Sequence, residues 1–377
     1  MFQSISEFLS NTDALLTRLA YERSSQLYFQ SGIKKYTGNS EFEIELRDFV
    51  NKNISPSLVN IKIFTYQNAI ISLYGYLERF IEDIIDEYLR NIHNACTEFN
   101  CLPLAIKKNH FNSSLDLLLK TQRLKSLTPE QRKLRIKSTV GNMYSCLLED
   151  KGYFINYEAF TTHNSNFRYD SIHEIFSRVG INRISRDCLN SKEFLRAIAQ
   201  KHYIDDTTEK KILVSLLISE LDDLAQRRNE IAHGARIDEL ESIELLITRI
   251  MLIRAYGVAI NEVVTSYLNI FLYDATEKIC LGKPAKAFND IRVIGFNEIE
   301  ENASVLIHNK IKIGSKLFAV NEKSTERVIS GQVISIRKGM EKTTEIALPC
   351  NTEFTLEVDF CFNSNITKRT FYITRNV

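Results

Sequence analysis

The sequence RRNEIAHG at residues 227–234 lies between two long runs in which apolar residues recur at helical spacing. The first run covers about residues 209–224, and the second covers about residues 237–272. Two guanidinium groups, an amide, a carboxylate and an imidazole fall within this one short junction. Such groups bind phosphates and transfer protons, so the junction predicts both a helical fold and the position of a functional site.

The spacing of Arg228 and His233 limits how the two side chains act together. Residues five apart on an ideal helix point about 140° away from each other, so these two do not share a helix face. They meet on one phosphate only if the helix ends or loosens near Gly234, or if a second subunit completes the site. Glycine is the usual residue just beyond a helix C-terminus, which fits the first alternative. A simpler interpretation is that Arg227, Arg228 and His233 complement the helix dipole.

The motif RNEIAH at residues 228–233 resembles the R-x4–6-H signature of the HEPN superfamily, in which a polar residue follows the arginine. Proteins of this superfamily are small helical domains, and many are metal-independent ribonucleases. Residues 64–92, which contain LERFIE, are similar to the long first helix of the family. NSNFRYDSI at 164–172, continuing to FSRVGI at 176–181, is similar to the segment before the motif helix in the RiboL-PSP-like branch. The resemblance covers roughly residues 60–270.

The resemblance implies a ribonuclease that needs no metal ion or cofactor. The RNA supplies the nucleophile, the 2′-hydroxyl beside the scissile phosphate, and a 2′,3′-cyclic phosphate is the implied product. His233 is competent as an acid or a base near neutral pH, and Arg228 can bind two phosphate oxygens bidentately. Asn229 is expected either to donate to the phosphate or to hold His233 in one tautomer.

Four further residues are candidates for supporting this site. Glu78 or Asp83, on the predicted first helix, is expected to reach Arg228 and fix its orientation. The alternative is that both carboxylates belong to an ordinary solvated helix face. Arg227 and Glu230 are expected to support the site from within the motif itself.

The composition is that of a globular protein, since 44% of the 377 residues are hydrophobic and 25% are charged. The net charge of +1 gives no overall attraction to nucleic acid, so an RNA-binding surface must be a local patch. The sequence Thr128-Pro129-Glu130 predicts a helix start. Four basic residues just inside it are the candidate RNA-binding patch: Arg132, Lys133, Arg135 and Lys137.

Several features of the sequence bear on the compartment. The first residues, MFQSISE, contain neither a basic leader nor an apolar run, which predicts no signal peptide. No apolar segment reaches about 18 residues, so we expect no membrane partner. The seven cysteines are odd in number and contain no C-x2-C pair, which predicts reduced thiols and no metal site. A cytoplasmic protein is therefore expected.

The character of the sequence changes after Pro284, where short β-branched runs alternate with turn residues. These runs lie at 291–294, 304–307, 316–320, 332–336, 345–347, 354–358 and 369–373. They predict a small antiparallel β-barrel or sandwich, with a loose resemblance to the second domain of translation GTPases. The expected organisation is an N-terminal helical extension at 1–58, a HEPN-like helical domain at 59–283 and a β domain at 284–377.

The leading hypothesis is a metal-independent endoribonuclease of the bacterial toxin or antiphage defence type. The helical domain would cut RNA as a homodimer, and the β domain would select the RNA or hold a partner. The resemblance to translation factors suggests tRNA as the substrate, and a toxin of this kind implies an antitoxin or a regulatory protein partner. The alternatives are a non-catalytic HEPN scaffold that binds RNA or a protein, and a helical oligomerisation module whose β domain binds a ligand.

Overall fold

The computed structural model describes residues 2–35, 40–148, 152–163, 166–205, 208–234, 239–299, 309–324, 326–362 and 364–375. The chain divides into two compact units. One contains Met1–Arg90 and Glu98–Val264, and the other contains Asn91–Thr97 and Thr265–Val377. The predicted fold class, a helical region followed by an antiparallel β-sheet region, is confirmed.

The helices are named in chain order. They are α1 (Gln3–Lys35), α2 (Glu41–Phe49), α3 (Ser55–Ala95), α4 (Leu104–Arg123), α5 (Pro129–Leu147), α6 (Tyr157–Thr161), α7 (Tyr169–Arg178), α8 (Ile184–Cys188), α9 (Lys192–His202), α10 (Lys210–Ala232) and α11 (Ile243–Ala275). No helix in the described ranges is long and apolar enough to cross a membrane.

Helix α3 supplies a central stripe of the helical core. Its buried residues recur every three or four positions, which is the period of one helix face. They include Tyr66, Ile70, Leu73, Leu77, Ile81, Ile84 and Tyr88. Full burial of an aliphatic side chain of this size contributes about 1.5–3 kcal/mol. Burial of this stripe places the polar residues between its members, among them Glu78, on the other faces of the helix.

Helix α1 packs closely against this core. The ring of Phe8 stacks on that of Phe80, with centroids 4.7 Å apart. Gly257 of α11 lies directly against the Phe8 ring, and a side chain at this glycine would collide with it. The carboxylate of Glu87 accepts hydrogen bonds from the backbone N–H groups of Gln3 and Ser4, each at 2.7 Å. A carboxylate at that position stabilises the N-terminus of α1.

Two predicted helix boundaries in the first unit match the structure. The α5 helix begins with a capping box, in which the Thr128 hydroxyl accepts from the Gln131 N–H and the Gln131 side chain accepts from the Thr128 N–H. Pro129 occupies the first helical position, where its missing N–H costs nothing. The α10 helix ends at Ala232, and Gly234 follows in the left-handed region with φ of 68°.

The strands of the second unit are all paired antiparallel. They are β1 (Lys278–Gly282), β2 (Lys286–Phe288), β3 (Val293–Phe296), β4 (Asn309–Lys312), β5 (Lys316–Val320), β6 (Val328–Lys338), β7 (Glu341–Thr343), β8 (Glu345–Leu348), β9 (Phe354–Val358) and β10 (Thr370–Thr374).

The main sheet has the strand order β1-β10-β5-β6-β9-β3-β2, with β7 paired to β6, while β4 and β8 form a separate pair. Among the described strands this order is open, because β1 and β2 at its ends do not pair with each other. Of the two predicted forms, it allows the sandwich and not the closed barrel. The long strand β6 pairs with β5 along its first half and with β9 along its second, with an irregular register between Val333 and Ser335.

The β region begins earlier along the chain than the sequence analysis expected. Strand β1 precedes Pro284 and pairs with β10, the last strand. Ile279 and Leu281 alternate into the core, which is the pattern of a half-buried strand. The Lys278 ammonium donates to the Tyr273 carbonyl at 2.6 Å and so caps the end of α11. The predicted run at 304–307 lies outside the described residues.

Candidate functional site

The last turn of α10 carries the motif, and it ends at the predicted place. His233 is the C-terminal cap residue, and its backbone N–H donates to the Asn229 carbonyl at 2.9 Å. The His233 side chain is exposed. Because the helix stops at Ala232, His233 is released from ideal helical geometry with φ of −91° and ψ of 4°. The direction of its side chain is therefore not set by the regular 100° step that holds along the helix.

Arg228 is half-buried and held by three groups. Its guanidinium lies over the ring of Tyr74, with Cζ 4.9 Å from the ring centroid. Its Nη1 donates to the side-chain oxygens of Asn166 at 3.4 Å and Asn229 at 3.2 Å. Tyr74 is itself buried, and its hydroxyl accepts from the Phe167 N–H at 2.8 Å. None of these three partners is anionic, so they orient the guanidinium without neutralising its charge.

Arg227, the neighbouring arginine, has a different environment. Its Nε donates to Asp223 at 2.8 Å, and its Nη1 donates to the Tyr66 hydroxyl at 2.7 Å. Burial by itself would lower the pKa of Arg227, but the hydrogen bonds to Tyr66 and Asp223 outweigh it and raise the pKa. Asp223 also accepts from Arg249 at 2.7 Å, and Arg249 is buried. Arg227 thus belongs to an ion network that links the end of α10 to α11, and its predicted supporting role stays a prediction.

Helix α3 presents carboxylates to the same region. The His163 Nε2 lies 3.8 Å from an oxygen of Glu78 and 3.4 Å from an oxygen of Glu82. Burial raises the pKa of Glu78, while the charges of His163 and Arg228 act in the opposite direction. The carboxylate of Glu78 therefore interacts electrostatically with Arg228 and lies beside the His163 imidazole.

Asp83, the alternative to Glu78 in the sequence analysis, lies elsewhere. Its carboxylate accepts from Arg79 Nε at 3.4 Å, and the same Arg79 contacts Glu7 of α1 at 3.3 Å. Burial raises the pKa of Asp83, and the hydrogen bond from Arg79 opposes that shift. Since Glu78 and Asp83 are five residues apart on one helix, they face directions about 140° apart. Only Glu78 is directed toward the motif.

Asn229 and Glu230 complete the motif. The side-chain oxygen of Asn229 accepts from Arg228. The backbone carbonyl of Asn229 accepts from the His233 backbone N–H. Its predicted bonds to a phosphate or to the His233 ring stay predictions. Glu230 is exposed and accepts from Gln226 at 2.9 Å. Gln226 in turn accepts from Arg168 at 3.2 Å, so this row of side chains joins α10 to the segment before α7.

The four residues of the candidate RNA-binding patch have two different environments on α5. Arg132 donates to the Leu124 carbonyl at 2.8 Å, and Arg135 forms an ion pair with Glu158. Lys133 and Lys137 are exposed, and they flank an apolar face of the helix that contains Ile136, Val140 and Tyr144. The exposed ammonium groups available to a ligand here are therefore those of the two lysines.

The structure adds residues that the sequence analysis did not assign to the site, namely Tyr74, Asn166 and His163. Asn166 belongs to the quoted stretch 164–172, of which Asn164 and Ser165 lie outside the described residues. Tyr74 lies one helical turn before Glu78, so a search for an aromatic residue on the same face of α3 would have found it. Among the described residues, no group of three or more histidine, cysteine, aspartate and glutamate side chains is arranged to hold a metal ion.

Comparison with curated proteins finds no match, and comparison with solved structures finds none either. The model of the RiboL-PSP-HEPN family matches residues 42–266, which include α3, α10 and most of α11. This match covers more than half of the chain and contains the motif, Tyr74, Glu78 and His163. HEPN domains are generally related to ribonucleases. The chain therefore belongs to the RiboL-PSP-HEPN family.

Proposed function

We propose that this protein is a metal-independent endoribonuclease that uses Arg228 and His233. The observation that carries the proposal is the environment of Arg228, whose guanidinium is oriented by an aromatic ring and two amide oxygens with no carboxylate among them. An arginine held in this way keeps its positive charge for a phosphate. An exposed imidazole follows at the helix end, five residues further on.

The reaction needs one proton removed and one proton supplied. His233 takes the proton of the 2′-hydroxyl, and the 2′-oxygen forms a bond to phosphorus. The bond from phosphorus to the 5′-oxygen breaks, and that oxygen leaves with a proton. Arg228 binds the non-bridging phosphate oxygens, whose charge grows in the transition state, and stabilises it electrostatically. The products are a 2′,3′-cyclic phosphate and a 5′-hydroxyl end.

The finer features of the function belong to the same proposal. A homodimer would bring two motifs to one cleft. The second subunit could then complete the site, although Arg228 and His233 of one chain are five residues apart and do not share a helix face. Lys133 and Lys137 are proposed to contact the RNA backbone, since both are exposed. A cytoplasmic toxin or antiphage defence enzyme that cuts tRNA, restrained by an antitoxin or regulatory protein, is the proposed biological setting. The proposed domains are a helical extension at 1–58, a HEPN-like domain at 59–283 and a β domain at 284–377. The β domain is proposed to select the RNA.

The test is cleavage of total tRNA and rRNA by the purified protein in the presence of EDTA, with the cut ends mapped by sequencing. Arg228→Ala and His233→Ala are each expected to lower the cleavage rate by about 10²-fold or more, as removal of a transition-state charge donor or an acid–base group does. The control is Arg186→Ala, which removes an exposed arginine on α8. If the wild-type protein binds RNA without cutting it, the non-catalytic scaffold replaces this proposal.

A further inference from the structure

The imidazole of His163 is held on two sides in the helical unit. Its Nε2 faces the carboxylates of Glu82 at 3.4 Å and Glu78 at 3.8 Å. Its ring meets the Phe167 ring edge-on, with centroids 4.3 Å apart. The His163 side chain keeps 17% of its surface exposed, and those of Glu78 and Glu82 keep 28% and 39%. The group is therefore fixed in orientation and still open to solvent.

This imidazole and the Arg228 guanidinium are connected through Phe167 and Tyr74. Arg228 lies over the Tyr74 ring, and the Tyr74 hydroxyl accepts from the Phe167 N–H. The ring of the same Phe167 meets the His163 ring edge-on. The phosphate-binding group and an imidazole–carboxylate pair thus belong to one continuous set of contacts within a single chain.

The proposed reaction leaves one role without an assigned residue. A 5′-alkoxide is a poor leaving group, so its departure requires a proton donor. If His233 starts each turnover as the neutral base, it cannot also be the acid in that turnover. A second imidazole, joined to Arg228 through Phe167 and Tyr74 and held by two carboxylates at its Nε2, has the chemistry that this role needs.

Resting on the proposed function, we propose that His163 is the general acid of the reaction, with Glu78 and Glu82 as positioning residues. His163 enters as the imidazolium and gives its proton to the 5′-oxygen as the bond from that oxygen to phosphorus breaks. His233 receives the 2′-hydroxyl proton as the bond from the 2′-oxygen to phosphorus forms. One proton is taken up and one is released, so the cleavage step is balanced. The acid and Arg228 then come from the same chain.

The test uses the full chain and two RNA oligonucleotides that span a mapped cleavage site. One carries the natural 5′-oxygen at that site, and the other carries a bridging 5′-sulfur, which leaves as a thiolate and needs no proton. On the oxygen substrate, His163→Ala is expected to slow single-turnover cleavage by about 10²-fold or more. On the sulfur substrate the same variant is expected to cleave at nearly the wild-type rate. His233→Ala is expected to be slow on both substrates.

The matched control is His173→Ala, which removes a half-buried histidine from α7 and is expected to cleave both substrates like the wild type. His163→Gln keeps the size and polarity of the side chain, and it decides the test if His163→Ala does not fold. Normal cleavage of the oxygen substrate by His163→Gln, or equal slowing on both substrates, overturns the role of His163 alone. Failure of the wild-type protein to cleave either substrate overturns the proposed ribonuclease function as well.

Discussion

The buried histidine of α4 gives the clearest prediction of how stability depends on pH. His110 is 2% exposed, and its Nε2 accepts a hydrogen bond from the Asn156 backbone N–H at 3.0 Å. Phe160 stacks near its ring, with centroids 6.2 Å apart. Burial lowers the pKa of His110 from 6.5 to about 4. A protonated Nε2 could not accept the Asn156 bond, so the folded protein requires the neutral imidazole.

The direction of the pH dependence follows from proton binding to His110 in the folded and unfolded states. Below pH 6.5 the unfolded chain binds a proton at His110, and the folded protein does not until the pH approaches 4. The neutral histidine therefore stabilises the fold fully above pH 6.5, and this stability is lost as the pH falls. At about 1.4 kcal/mol for each pH unit, the loss is about 2 kcal/mol at pH 5 and about 3 kcal/mol by pH 4.

The assay is urea denaturation at pH 7 and pH 5, for the wild type and for His110→Gln. Glutamine places a non-titrating oxygen near the position of Nε2, so the variant keeps an acceptor for the Asn156 N–H. Other carboxylates titrate equally in both proteins, and the difference between the two pH profiles isolates His110. The wild type is expected to lose about 2 kcal/mol more than the variant between pH 7 and pH 5. Identical pH dependence in the two proteins would show that His110 is not held neutral in the folded protein.

Two further predictions concern packing and charge in the helical unit. Arg249→Ala removes a buried cation that pairs with Glu220, Asp223 and Glu241, and it should lower the free energy of unfolding by about 3 kcal/mol. Arg254→Ala removes a partly exposed arginine and should cost about 1 kcal/mol or less. Equal losses in urea denaturation would contradict this difference. Gly257→Ala forces a methyl group against the Phe8 ring and should destabilise by about 1–3 kcal/mol. Gly75→Ala places its methyl group in open space beside α3 and should stabilise the protein by about 0.5–1 kcal/mol. If the melting temperature rises in Gly257→Ala as well as in Gly75→Ala, the contact between Phe8 and Gly257 is looser than described.

Features set by local interactions were predictable from the sequence. The start of α5 depends on Thr128, Pro129 and Gln131, which are close neighbours in the chain. The end of α10 depends on Gly234, whose positive φ is a local property. Short β-branched runs separated by turn residues likewise predicted an antiparallel β region. These elements were accessible because each is stabilised mainly by residues within a few positions of one another.

Features set by distant pairings were not predictable in the same way. Strand β1 is stabilised by β10, with Lys278 opposite Thr374, and its five residues follow directly after a long helix. Two of the three partners of Arg228 are distant in sequence, namely Tyr74 of α3 and Asn166, which is 62 residues away. No local pattern identifies such contacts, because they depend on how complete helices pack.

The two adjacent arginines of the motif illustrate the same difference. Arg227 and Arg228 are chemically identical, and the sequence offers no reason to separate their roles. On α10 they point about 100° apart, so one meets Asp223 and Tyr66 while the other meets the Tyr74 ring. The packing of α10 therefore gives Arg227 an anionic partner and gives Arg228 only uncharged ones.

The central claim, that the protein breaks RNA by attack of the 2′-hydroxyl with Arg228 at the phosphate, is tested most directly by the mass of the cleaved ends. RNA is incubated with the wild-type protein in EDTA, and the mass of the upstream fragment, measured by mass spectrometry, identifies its 3′ end. A 2′,3′-cyclic phosphate that is formed by the wild type and lost in Arg228→Ala is the expected result. A 3′-hydroxyl end, or a cyclic phosphate formed equally well by Arg228→Ala, would contradict the account.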